Sequence, residues 1–169
     1  MNSRHIQAIE KLLDDVSRQA AAPDEQLQRT HGSVSAWSVS QQLDHAIKVA
    51  NALMRGILEP ADDRPRRGIN LVGRVILLLG DFPRGRAQSP KGLRGVAASS
   101  QDLVDELNVA RSLLKRVADE SFQPPDVPVV RHPFFGGLTP QQSLRNTVVH
   151  TRHHLRIVRD INAAWRSRG

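Results

Sequence analysis

The chain has 169 residues, with 24 lysines and arginines against 17 aspartates and glutamates, giving a formal net charge of +7. It contains no cysteine, which excludes disulfides, a thiolate nucleophile and any Cys-ligated zinc or iron–sulfur site. Tyrosine is also absent, which excludes a tyrosine acid or nucleophile. The length predicts one domain over residues 1–169, large enough to bury a real core. The cysteine count fits a reducing cytoplasm, where the chain is expected to reside. Met1-Asn2-Ser3-Arg4-His5-Ile6-Gln7 carries no apolar run of the signal-peptide kind. The longest apolar run, residues 71–79, is broken by Gly73 and Arg74 and is too short to span a bilayer. A membrane is therefore not an expected partner. The basic residues are scattered, with a modest cluster over residues 64–94, and read as a solvated Arg-rich surface. No aromatic platform interleaves with them, so nucleic acid is not an expected partner either.

Four amphipathic helices are predicted, and no strand. Residues 4–22 place Ile6, Ile9, Leu12, Leu13 and Val16 at helical spacing, ending at Pro23. Residues 38–58 begin with Ser38 and Gln41 in the capping-box relation and carry Val39, Leu43, Ala46, Ala50 and Leu53 on one stripe. Residues 100–120 present Leu103, Val104, Leu107, Ala110, Leu113, Leu114 and Val117. The last helix, 139–165, has Thr139 as N-cap, Pro140 in the first turn and Gln142 completing a capping box. Its stripe is Leu144, Val148, Leu155, Val158 and Ile161. Four such stripes predict an all-α fold, a four-helix bundle around one core. Two long connections interrupt it. Residues 59–99 contain a short helix within 69–79 and then a basic loop bearing Arg84, Arg86, Lys91 and Arg94. Residues 121–138 are extended and Pro-rich, ending in His132-Pro133-Phe134-Phe135-Gly136-Gly137.

The chemistry lies in the histidines. His150 and His154 are four apart on the last helix, so their imidazoles stack on one face and can share a metal ion. His45 sits in the second helix beside its apolar stripe. A buried neutral histidine needs partners for its nitrogens, and a shared metal would serve three rings at once. Three histidines leave an open coordination position for water or substrate. His153 could replace either neighbour by a spacing of three, but reads as a supporting or surface residue. His132 reads as loop packing or capping, and as a fourth ligand in a closed site. His5 and His31 lie in exposed-looking surroundings. Gln41, Gln42, Asn146 and Thr147, each about one turn before a candidate ligand, could orient the imidazoles. Asp44 neighbours His45 but projects about 100° away on the helix, toward surface charge. The basic loop could meet an anionic substrate if it folds over the cleft.

Trp37-Ser38-Val39-Ser40-Gln41-Gln42-Leu43-Asp44-His45 resembles the opening of the DinB/YfiT-like family, where a Trp-Ser segment leads into a helix bearing the first metal histidine. His150-x-x-x-His154 resembles the paired histidines on that family's last helix. His132-Pro133-Phe134-Phe135-Gly136 is similar to the HPFFG-type segment of one uncharacterised branch. The resemblance covers residues 4–165. It implies a bundle with up-down-down-up connectivity, often dimeric. It also implies a divalent metal, zinc or nickel first and iron after them, on His45, His150 and His154. Some relatives are thiol-dependent transferases or isomerases using low-molecular-weight thiols such as mycothiol or bacillithiol, so the resemblance points to a metal-dependent hydrolase or thiol-dependent transferase acting on a small molecule. Nothing in the sequence selects a thiol or assigns a catalytic residue beyond the ligands. A non-catalytic metal-binding or orphan bundle is the second reading. A nucleic-acid-binding bundle, suggested by charge alone, is the third.

Overall fold

The structure, a computed structural model, describes residues 3–83 and 89–167. Four long helices carry it: α1 (Ser3–Ala20), α3 (Val39–Leu58), α5 (Ser100–Ala118) and α6 (Pro140–Arg166). Between them lie two short helices, α2 (Asp24–Leu27) and α4 (Leu71–Leu79), and a 3-10 turn at Lys91–Leu93. The apolar stripes read from the sequence line the core almost completely: Leu13, Val16, Leu43, Ala50, Leu107, Val117, Val148 and Ile161 are all buried. Each fully buried Leu or Ile contributes roughly 1.5–3 kcal/mol. These stripes therefore decide where the helices lie.

The helix starts are set by side chains. Ser38, Ser99 and Thr139 each accept from the N3 backbone N–H, and the N3 side chain bonds back to the cap residue in all three cases. Each box satisfies two amides that would otherwise lack partners.

Side-chain contacts between the helices give their directions. Arg111 pairs with Asp14 and Ser100 Oγ donates to the Ala20 carbonyl, so α5 runs antiparallel to α1. Asn51 reaches Glu106 and Arg116 reaches Glu59, so α3 and α5 run parallel. Asn162 meets Gln19 near the C-terminal ends of α6 and α1, which also run parallel. Gln42, at the start of α3, meets His154 in the second half of α6, so that pair is antiparallel. The order is up-down-down-up, and its parallel α3–α5 step requires the long crossover of residues 59–99.

The structure corrects the sequence reading in one respect. Residues 121–138 are not wholly irregular: Val130–His132 (β1) and Gly136–Leu138 (β2) form a two-stranded antiparallel ribbon, with Arg131 opposite Gly137. Strands of three residues lie below the length at which alternation can be recognised, and two glycines mask the second. The 59–99 crossover contains the expected short helix, stopped by Gly80 in the left-handed conformation at φ 73°. Its later part is pressed against α3. A Cβ placed on Gly95 would lie 2.1 Å from the Gln41 carbonyl oxygen. Only a residue without a side chain permits that approach.

Gly95→Ala should therefore cost about 2 kcal/mol, a fall of roughly 4–8 °C in Tm. Gly92→Ala, at a position with open space around it, should change Tm by no more than a degree or two. Calorimetry on both variants checks the pair. An equal response would show that the crossover is not seated on α3 as described.

Candidate metal centre

His45, His150 and His154 come together where the start of α3 faces the second half of α6. One ring nitrogen from each lies within 4.8 Å of the others. The ring centroids are 4.9 Å apart for His45–His150, 4.7 Å for His45–His154 and 4.5 Å for His150–His154. The three histidines named as candidate ligands are therefore brought together by the fold.

Two of the three rings are fixed by hydrogen bonds that also choose their tautomers. His45 Nδ1–H donates to the Leu93 carbonyl. His154 Nδ1–H donates to Gln42 Oε1 at 2.6 Å. Both acceptors are oxygens without a proton, so Nδ1 carries the hydrogen and Nε2 keeps its lone pair. Gln42 is itself held: its Nε2 donates to Ser35 Oγ at 2.9 Å, and Ser35 Oγ also accepts from the Trp37 backbone N–H at 3.0 Å. The Trp-Ser segment thus reaches the site through Ser35 and Gln42. Trp37 also packs edge-on against the His45 ring at 5.2 Å.

His150 differs. Its Nδ1 is buried and has no partner among the described residues, and both amide atoms of buried Asn146, one turn earlier, share that state. A buried nitrogen left unbonded costs about 1–3 kcal/mol. A cation held by the cluster would relieve that cost for a ring nitrogen. Three neutral imidazoles, two with Nε2 presented by fixed Nδ1–H bonds, are a donor set suited to zinc, nickel or ferrous iron. The residues could hold such an ion.

The electrostatics point the same way. Burial pushes the pKa of His150 and His154 well below the ordinary histidine value, with neighbouring histidines adding to the effect. His150 keeps part of its surface open, yet the rings crowding it still disfavour its charged form. Burial also lowers His45, against the opposing pull of its bond to Leu93. All three rings are therefore neutral at neutral pH, the form that binds metal.

The surrounding residues sort more clearly than the sequence allowed. Of the four residues considered for orienting the imidazoles, Gln42 alone among the described contacts bonds a cluster histidine. Gln41 is spent on the Ser38 cap, and Thr147 donates to the Ser143 carbonyl. Asp44 is buried rather than turned to surface charge; it binds Lys48 at 2.8 Å and accepts from the Val96 N–H at 2.9 Å, pinning the crossover. His132 is a turn cap. Its Nδ1 accepts from the Phe134 and Phe135 N–H groups, its ring stacks on Phe135 at 4.1 Å, and burial lowers its pKa to about 4. With that lone pair engaged it stands outside the three-histidine group, and a closed four-histidine site loses its candidate. His153 is buried, 3.7 Å from Asp81, with Phe82 against its ring. Of the two expected bystanders, His31 bonds Ser33, whereas His5 is half-buried near Arg145.

A family model for the DinB superfamily matches residues 2–158. The chain belongs to the DinB superfamily. No curated protein and no solved structure matches it. Within this DinB-superfamily chain, three contributors to the site carried no readable signal in the sequence. The Leu93 carbonyl is a backbone group. Ser89 Oγ lies 3.4 Å from His45 Nε2 through the fold of the crossover. Phe82 packs edge-on against His150 at 5.5 Å and belongs to the loop after the apolar run, where nothing in the sequence set it apart. The basic loop does approach the site at Ser89 and Leu93, with Lys91 and Arg94 exposed; Arg84 and Arg86 lie outside the described residues.

Depressed histidine pKa values make stability depend on pH. Between the ordinary value near 6.5 and the lower folded values, the unfolded chain binds more protons than the folded one, so stability falls as pH falls. Urea unfolding of chelator-treated protein should show a lower free energy at pH 5 than at pH 7, before carboxylates protonate. A flat profile over that window would contradict the burial of neutral rings.

Proposed function

We propose that this protein is a divalent-metal-dependent enzyme of the DinB superfamily, with His45, His150 and His154 as the metal ligands. The observation that carries the reading is the pair of bonds that Nδ1–H of His45 and of His154 donate to the Leu93 carbonyl and to Gln42, which leaves both Nε2 atoms unprotonated in a cluster that brings one nitrogen of each ring within 4.8 Å of the others. Zinc or nickel fits three imidazoles first, and ferrous iron after them. A bound divalent ion would act there as a Lewis acid, lowering the pKa of a water or a thiol toward neutrality.

The chain's own residues do the rest. Gln42 holds His154 in place through Ser35, and the Leu93 carbonyl does the same for His45. Trp37 and Phe82 flank the cluster with apolar ring edges, which keeps bulk water from the imidazoles. Ser89 Oγ, 3.4 Å from His45 Nε2, is placed to meet a group bound at the open side. Lys91 and Arg94 stand on the same segment and would favour an anionic small molecule. These features support hydrolysis or transfer of a thiol, a low-molecular-weight thiol being the small-molecule partner in the second case. A cytoplasmic setting belongs to the same reading. The rings of Trp37 and Phe82 also favour a second reading, in which the covered cluster holds a metal without catalysis.

Metal analysis of untagged protein by mass spectrometry should find close to one equivalent of zinc, nickel or iron. His45→Ala, His150→Ala and His154→Ala should each purify with far less metal. Gln42→Leu should keep the fold and weaken metal affinity by about 10–100-fold. Metal-restored turnover on a thiol-transfer or ester-hydrolysis panel would favour the enzyme; full metal with no turnover would favour the second reading. Absence of metal even after reconstitution would overturn both.

A further inference from the structure

Among the described residues, the outer face of α4 has no partner. Its inner side is seated by Gly73 and Leu77, both buried, and by half-buried Ile76. Leu71 is 76% exposed, Leu78 83% and Leu79 74%, with Val72 and Val75 exposed beside them. At 100° per residue these five side chains occupy one arc of about 120°. Phe134, half-exposed, extends the apolar surface at the helix N-terminus, where its carbonyl accepts from Asn70 Nδ2. Proteins rarely leave a contiguous apolar face of more than a few hundred Å2 open to water without a binding role.

Charge identifies what covers it. Arg64, Arg66 and Arg67 immediately precede the helix and Arg74 lies on the flank of the exposed arc; all four are exposed. None forms an ion pair among the described residues. Of the nearby carboxylates, Asp63 is paired with Arg131 and Asp81 with Arg156. An apolar helical face rimmed by cations is complementary to an anionic lipid surface, with the leucines below the headgroups and the guanidinium groups among them. A second copy of the chain would bring the same positive rim against itself, on a molecule already at +7.

We propose that the outer face of α4 docks on an anionic lipid bilayer, the helix lying in the plane of the interface. The helix has nine residues, and among the described residues no helix is long and apolar enough to cross a membrane. The contact is therefore peripheral and reversible. The expectation of no membrane partner rested on spanning length alone, which does not test for this mode.

Co-sedimentation of the full chain with extruded vesicles tests this, using phosphatidylcholine alone or with about 30% phosphatidylglycerol. The protein should sediment with the anionic vesicles, bind the zwitterionic ones at least about tenfold more weakly, and release as salt is raised to about 0.5 M. Leu71→Ser combined with Leu78→Ser should weaken binding about tenfold or more, and Arg66→Gln with Arg67→Gln several-fold. Unchanged melting of these surface variants would show that the fold is intact. Protein left in the supernatant with both vesicle types would overturn the proposal, as would leucine variants that bind like wild type. A concentration-dependent dimer that the leucine variants abolish, with no vesicle binding, would assign the face to a second copy instead.

Discussion

The structure around the site turns on a single requirement: three uncharged imidazoles packed against one another must keep their polar nitrogens satisfied. Burial removes the option of charge, since the folded protein disfavours the protonated form of His45, His150 and His154. Each ring then has one N–H to give and one lone pair to offer. Two of the three N–H groups are met, by the Leu93 carbonyl and by Gln42. One nitrogen of each ring lies within 4.8 Å of the others, and His150 adds a buried nitrogen that has no partner among the described residues. That imbalance is the physical reason to read the cluster as a cation site rather than as core polarity.

Much of the fold serves that arrangement. Up-down-down-up order brings the start of α3 against α6 and obliges the chain to cross over through residues 59–99. The same crossover supplies Leu93 to His45, Ser89 to its open side and Phe82 to His150. It is anchored where side chains and backbone leave little freedom, at buried Asp44 against the Val96 amide and at Gly95 against the Gln41 carbonyl. The crossover also carries α4, which spends one face on packing and leaves the other to solvent. A helix retained only for core packing would not keep three leucines exposed beside arginines that form no ion pair among the described residues.

Two of the long helices, α3 and α6, were legible through two signals at once, an apolar stripe at helical spacing and a capping residue at the start, and α1 and α5 through the stripe alone. Val39 to Leu53 and Leu144 to Ile161 illustrate this, with Ser38 and Thr139 as caps. His150 and His154 were legible through the geometry of i and i+4. His45 stood out by its place beside a stripe, and the family resemblance joined it to them. What was illegible depended on tertiary placement. A backbone carbonyl such as that of Leu93 has no sequence signature. The capping box already engaged Gln41 in the sequence, but the bond of Gln42 to His154 joins residues 112 positions apart and had no local signal. The β1–β2 ribbon is too short for its alternation to register, and the exposure of α4 contradicts the burial its composition suggests.

The most direct measurement is X-ray absorption spectroscopy on protein loaded with one equivalent of zinc. Three histidine ligands predict a shell of nitrogen and oxygen near 2.0–2.1 Å with multiple scattering that fits three imidazoles, reduced to two in His45→Ala. A wild-type spectrum fitted by two imidazoles or fewer, or one unchanged in His45→Ala, would contradict the assignment of His45, His150 and His154 as a single metal site.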